Sequence, residues 1–100
     1  MKKSKYTYLK DGFEGILYDT ESEDDRLLIV IQGLKGLELP EKYAGLFAKK
    51  GYSVLAMTYY GAPGLPDTMR AIPLEMFQTA IDRMKEYGSG KYRRFGIYGN

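Results

Sequence analysis

Residues 27–31 read Leu-Leu-Ile-Val-Ile, an unbroken apolar run rich in β-branched side chains. A strand with one wet face alternates apolar and polar residues, whereas a run of this kind is expected where both faces are covered, as in a parallel sheet sandwiched by helices. The run ends in Gln32-Gly33-Leu34-Lys35-Gly36. Two further segments of the same character follow, at residues 52–58 and 93–98.

The segments between them have helical spacing. Over residues 40–50, Tyr43, Phe47 and Lys50 lie on one line, with Ala44, Leu46 and Ala48 filling the packed side. Pro40 suits the first turn, Glu41 the positive end of the dipole, Lys49 and Lys50 the negative end, and Gly51 the C-cap. A second helix is predicted over residues 73–87, with Leu74, Phe77, Ile81 and Met84 on the buried face and Gly88 as its stop. Before the first buried run, residues 5–9 and 13–18 alternate around Lys10-Asp11-Gly12, and Asp-Gly favours a tight antiparallel hairpin. The acidic stretch 20–25 reads as a solvated connection, because it lacks the glycine and spaced oxygen ligands of a calcium loop.

Hairpin, strand, helix, strand, helix, strand is therefore the expected order. Right-handed crossovers make it an α/β fold, a mostly parallel sheet with an antiparallel opening hairpin and helices on both faces. One incomplete domain is expected over residues 1–100, with the hairpin and acidic loop in 1–26 and the strand-helix repeats in 27–100.

Composition removes several function classes. A net charge of +2, with basic residues scattered along the chain, does not point to nucleic acid. The chain contains no cysteine and no histidine, so it cannot supply a thiol nucleophile, a thiolate zinc site or a Ser-His pair from its own residues. No metal and no cofactor is expected. The amino terminus leads into alternating Tyr and Thr in place of an apolar stretch, no window is long enough to span a membrane, and a cytoplasmic protein without membrane partners is expected.

Two places carry chemistry. Gly33-Leu34-Lys35-Gly36 follows a buried strand, where glycines let backbone amides turn toward an anion. Its G-x-x-G spacing is not the dinucleotide fingerprint, and Leu37 stands where a phosphate loop needs Ser or Thr. Two readings remain: a tight turn between strand and helix, or an oxyanion loop in which the amide of Leu34 faces developing negative charge. The second place is Gly99-Asn100, after residues 93–98, which matches the first two letters of the G-x-S-x-G elbow that exposes a nucleophile at the top of a sheet.

Larger blocks make the reading specific. Residues 51–61 (Gly-Tyr-Ser-Val-Leu-Ala-Met-Thr-Tyr-Tyr-Gly), Gly64-Leu65-Pro66, Ile72-Pro73-Leu74-Glu75-Met76-Phe77 and Gly96-Ile97-Tyr98-Gly99-Asn100 resemble the C-terminal domain of the acyl-CoA thioester hydrolase and bile acid-CoA:amino acid N-acyltransferase family. The resemblance covers the chain from about Leu27 onward and implies the amino-terminal part of an α/β-hydrolase fold. It further implies a Ser or Cys nucleophile just after Asn100, a downstream Asp and His, and cleavage or transfer of the acyl group of a CoA thioester. Leu34 would then be an oxyanion donor beside Gly33, Gly99 and Asn100 would form the elbow, and the strand ending at Gln32 would neighbour the one ending at Gly99.

This chain departs from the pattern in opening with a hairpin instead of a separate β-domain, and in carrying Gln32 where many hydrolases have His. Lys35, Tyr59 and Tyr60 follow strand carboxyl ends and are the expected substrate-contacting residues; Arg70 is a further basic residue on that side. Lys91, Arg93 and Arg94 precede the last strand and belong at the opposite end. By itself the segment should be inactive. A carboxylesterase or dienelactone-hydrolase-like enzyme would share nearly every residue here, and a non-catalytic flavodoxin-like binding domain would share the order of elements. Self-association of the segment is also expected, because its last strand is an apolar edge.

Overall fold

In the computed structural model, five strands form one sheet in the order β1-β2-β4-β3-β5. The structure describes residues 2–31, 45–47, 49–59, 64–65 and 74–99. The strands are β1 (Lys2–Tyr6), β2 (Glu14–Asp19), β3 (Arg26–Ile31), β4 (Ser53–Thr58) and β5 (Arg94–Gly99). β3 lies between β4 and β5 and is parallel to both, while β2 runs antiparallel to β1 and to β4. The result is a mixed α/β sheet, with two parallel and two antiparallel pairings where a mostly parallel one was expected; the apolar segments 27–31 and 53–58 are inner strands, and β5 stands last in the described order.

Both faces are covered because both carry apolar side chains. On one face, helix α2 (Leu74–Glu86) lays Met76, Ala80 and Met84 over Phe13, Leu17, Leu27, Ile29, Leu55 and Met57. On the other face Phe47, from a helical stretch that includes residues 45–47 and 49, packs on Val30, Val54, Ala56 and Leu28. Alternation along β3 divides the two sets: Leu27, Ile29 and Ile31 face α2, and Leu28 and Val30 face Phe47.

Two local details differ from the sequence reading. The hairpin is antiparallel as expected, yet β1 ends at Tyr6 and residues Tyr8–Asp11 form a single helical turn, α1. The cause is the Asp11 carboxylate, which accepts the Thr7 amide at 2.9 Å while the Asp11 amide donates to the Thr7 carbonyl at 2.7 Å. Gly12 then closes the turn at φ 85°, and its amide donates to the Tyr8 carbonyl. In α2 the buried line is Met76-Ala80-Met84, flanked by half-buried Phe77 and Ile81, whereas Leu74 in the first turn is 84% exposed. The helix passes into a 3-10 turn, Tyr87–Ser89, where Gly88 takes φ 60°, and Gly90 at φ 93° ends the segment.

One glycine sets how closely two strands approach. A Cβ on Gly15 of β2 would stand 2.8 Å from the Ala56 carbonyl oxygen on β4 and 3.3 Å from Leu55 Cδ1. The obstacle is backbone, which cannot swing aside. Gly15→Ala is therefore expected to lower folding stability by about 1–3 kcal/mol in chemical denaturation, whereas Gly96→Ala, whose nearest neighbour would be Leu28 Cδ1 at 3.5 Å, should cost markedly less.

Candidate active site

The register of the parallel strands brings three loop roots to one edge of the sheet. Ile31 pairs with Met57 on one side and with Gly99 on the other, so the chain leaves β3, β4 and β5 at neighbouring points. Adjacent strands are about 4.8 Å apart. Ile31 and Gly99, the last residues of β3 and β5, thus lie roughly one strand spacing apart. Ligands of α/β sheets bind beyond the carboxyl ends of their strands, which is this edge.

The same edge carries the hairpin turn. Glu14, first residue of antiparallel β2, pairs with Thr58, the last of β4, and α1 stands just before it. Glu14 is buried, and its Oε1 accepts the Tyr8 amide at 3.0 Å. Arg83 of α2 reaches back to Asp11 at 3.2 Å and lies over the Tyr6 ring, so the hairpin turn is tied to the helix. Burial raises the Tyr6 phenol, although the Arg83 charge opposes it. Gly64 approaches this turn so closely that a Cβ there would stand 2.7 Å from Leu9 Cδ2 and 2.9 Å from Tyr8 Cδ2. Leu65 follows and packs against the core.

Of the residues predicted from sequence, Gly99 ends β5 as expected and Tyr59 directly follows β4. Tyr59 is buried in the core cluster with Met57 and Met76. Gly33, Leu34, Lys35, Tyr60, Arg70 and Asn100 lie outside the described residues. Among the described residues no group of His, Cys, Asp or Glu is arranged to hold a metal ion, and no helix is long and apolar enough to cross a membrane.

The opposite edge holds a polar cluster that no sequence motif announces. Asp19, at the end of β2, is 5% exposed and accepts the Tyr87 hydroxyl at 3.0 Å, the Lys91 ammonium at 2.5 Å and the Glu21 amide at 2.8 Å. Burial works to raise its carboxyl pKa, and the hydrogen bonds from Lys91, Glu21 and Tyr87 outweigh it, leaving the group below its ordinary value. Burial in turn pushes the Tyr87 phenol up, with Asp19 adding to the shift. Ser53 Oγ accepts the Thr20 amide at 3.2 Å nearby. Tyr92 is 1% exposed, and burial drives its phenol well above the ordinary range. Its hydroxyl has no hydrogen-bond partner among the described residues. Lys91 and Arg94 are thereby accounted for: Arg94 bonds Asp25 at 2.7 Å, and the neighbouring Arg26 grips Asp24 and holds it down at about 2. These exposed pairs order the turn and add little stability.

A cavity of about 400 Å³ also opens at this end, lined by Leu27, Leu28, Phe47, Phe95 and Gly96 with Arg26, Arg94 and Tyr52 at its polar side. It lies on the Phe47 face and away from the carboxyl edge.

The Asp19 cluster makes two stability predictions. A carboxyl lowered in the folded state contributes stability that is complete above its unfolded value, near pH 4, and is lost as pH falls through the lower folded value. Asp19→Asn should therefore cost on the order of 2 kcal/mol at pH 7, with the gap to the parent chain narrowing below about pH 4 in thermal melts. Tyr92→Phe removes an unpartnered buried hydroxyl and should leave the melting temperature unchanged or raise it, which differential scanning calorimetry reads directly.

Comparison with known proteins gives one consistent similarity. The chain is 34% identical over 61 residues to acyl-coenzyme A thioesterase 1 of Rattus norvegicus, and 36% identical over 61 residues both to acyl-coenzyme A thioesterase 1 of Homo sapiens and to its mitochondrial acyl-coenzyme A thioesterase 2. The matched stretch is 61% of this chain and 13–15% of those proteins, so the chain spans a small part of their length. No family model and no solved structure matches it.

Proposed function

We propose that this chain is the amino-terminal scaffold of an acyl-transfer site of the α/β-hydrolase type, in a protein that acts on acyl-CoA thioesters through an acyl-enzyme. The observation that supports the reading is the pairing of Ile31 with Gly99, the residues at which β3 and β5 end, two positions before Gly33 and just before Asn100 in the sequence. The similarity to acyl-coenzyme A thioesterases supports the thioester as substrate.

A Ser or Cys directly after Gly99-Asn100 would attack the thioester carbonyl. The C–S bond to CoA breaks, the thiol leaves with a proton delivered by a His outside these residues, and the acyl group remains on the nucleophile. Leu34 N–H and the amide beyond the nucleophile hold the oxyanion, at a site where one donor is worth about 10²- to 10³-fold in rate. Water then releases the free acid; an amino acid as acceptor would give an amide. Lys35 and Tyr60, which follow strand carboxyl ends in the sequence, are on the substrate side in this reading, and Tyr59 supports the rim from the core.

The role of Leu34 is testable because it acts through its backbone. In the full-length protein, Leu34→Ala should hold kcat/KM within a few-fold, while Leu34→Pro, which deletes the N–H, should lose about 10²-fold or more. Equal losses in two folded variants would reject the donor role. Substrate class is decided separately by comparing acyl-CoA with p-nitrophenyl esters. A kcat/KM higher on the thioester is expected, and turnover of oxygen esters alone would favour an esterase.

A further inference from the structure

The hairpin of β1 and β2 sorts its charges between inside and outside. Glu14 and Asp19 are buried, and the Asp11 side chain is 6% exposed. Each of these acids is engaged: Asp11 with Arg83 and the Thr7 amide, Glu14 with the Tyr8 amide, and Asp19 with Lys91. The lysines Lys2, Lys3, Lys5 and Lys10 are all exposed. Lys3 lies over the Tyr18 ring, whereas Lys5 and Lys10 carry no ion pair among the described residues. A segment nearly balanced in sequence therefore presents a basic outer surface.

Two of these lysines stand toward the edge where the parallel strands end. Lys2 pairs with Asp19 at the amino edge, while Lys5 pairs with Ile16, near the start of β2, whose first residue Glu14 faces Thr58 at the end of β4. Lys10 lies within α1, which joins the two strands at that same edge. The turn that presents them is tightly bonded: the backbone amides of Thr7, Tyr8, Lys10, Asp11 and Gly12 all have acceptors within the hairpin. An anion arriving there would be met by lysine side chains and not by those amides.

We propose that Lys5 and Lys10 form the subsite for the nucleotide phosphates of the CoA thioester, a proposal that rests on the acyl-transfer reading. Three strand spacings, about 14 Å, separate β2 from β5 in the order β2-β4-β3-β5. The arm between the sulfur and the pyrophosphate of CoA is about 13 bonds long, and at the advance per bond of an extended chain it reaches roughly 15 Å. A thioester held just after Asn100 can thus carry its phosphates across the carboxyl edge to the hairpin turn. Ammonium groups on flexible stems act as point charges and suit phosphates whose exact orientation is not fixed. The engagement of Asp11 and Glu14 within the fold keeps their carboxylates from opposing the phosphates.

Binding of free CoA to the full-length protein, measured by titration calorimetry, tests the subsite without turnover. Lys5→Ala/Lys10→Ala should raise the Kd for CoA about tenfold, since two exposed charge contacts are lost, and Lys5→Arg/Lys10→Arg should stay within a few-fold of the parent. Lys2→Ala/Lys3→Ala removes the same charge from the other end of β1 and should bind CoA as the parent does. In turnover, Lys5→Ala/Lys10→Ala should raise KM for acyl-CoA by a similar factor, with a smaller rise for the matching acyl-pantetheine, which lacks the nucleotide. A parent protein that does not bind CoA, an unchanged Kd in Lys5→Ala/Lys10→Ala, equal weakening by the two alanine pairs, or equal rises in KM on both thioesters would each overturn the proposal. Turnover of acyl-CoA alongside any of those results leaves the thioester reading standing. Lysine-dependent CoA binding without thioester turnover would sink that reading and keep the subsite.

Discussion

Strand β3 is hydrogen-bonded along both edges and buried on both faces, and the rest of the molecule is arranged by that fact. Ile29 and Val30 are completely buried, on opposite faces, so helices have to cover the sheet above and below. The pairings Ile31–Met57 and Ile31–Gly99 fix where the chain leaves the three parallel strands. A slip of one residue in β3 would turn its α2-facing side chains toward Phe47 and carry the loop roots out of alignment together. Core packing and site geometry are therefore one constraint.

The two ends of the sheet have different jobs. At the amino ends the polar groups are engaged with each other: Asp19 with Lys91 and Tyr87, Asp25 with Arg94, Asp24 with Arg26. A buried carboxylate bonded by Tyr87, Lys91 and the Glu21 amide ties the end of β2 to the turn after α2. At the carboxyl ends the hairpin turn is fastened down by Asp11, Glu14 and Arg83.

The inner strands were legible because residues 27–31 and 53–58 are apolar without alternation, a pattern with few structural solutions. The hairpin was legible but its turn was not. The Asp11 side chain, by capturing the Thr7 amide, replaces an Asp-Gly turn with a helical one, and no local pattern distinguishes the two. In α2 the periodicity gave Met84, Phe77 and Ile81 but overvalued Leu74, which is exposed at the helix's first residue. Asp19 was hidden because its partners lie 68 and 72 positions away. For the site, Gly33, Leu34, Gly99 and Asn100 were singled out by motif chemistry and family resemblance, and the register adds that Gly99 is paired with Ile31, the last residue of β3.

The acyl-enzyme is the intermediate on which the proposed chemistry turns, and its location is a single measurable fact. Rapid acid quench of the full-length protein with an acyl-CoA, followed by peptide mass spectrometry, should find the acyl mass on a Ser or Cys immediately after Asn100. Turnover of acyl-CoA with the adduct on any other residue, or with no Ser or Cys at that position, would contradict the account.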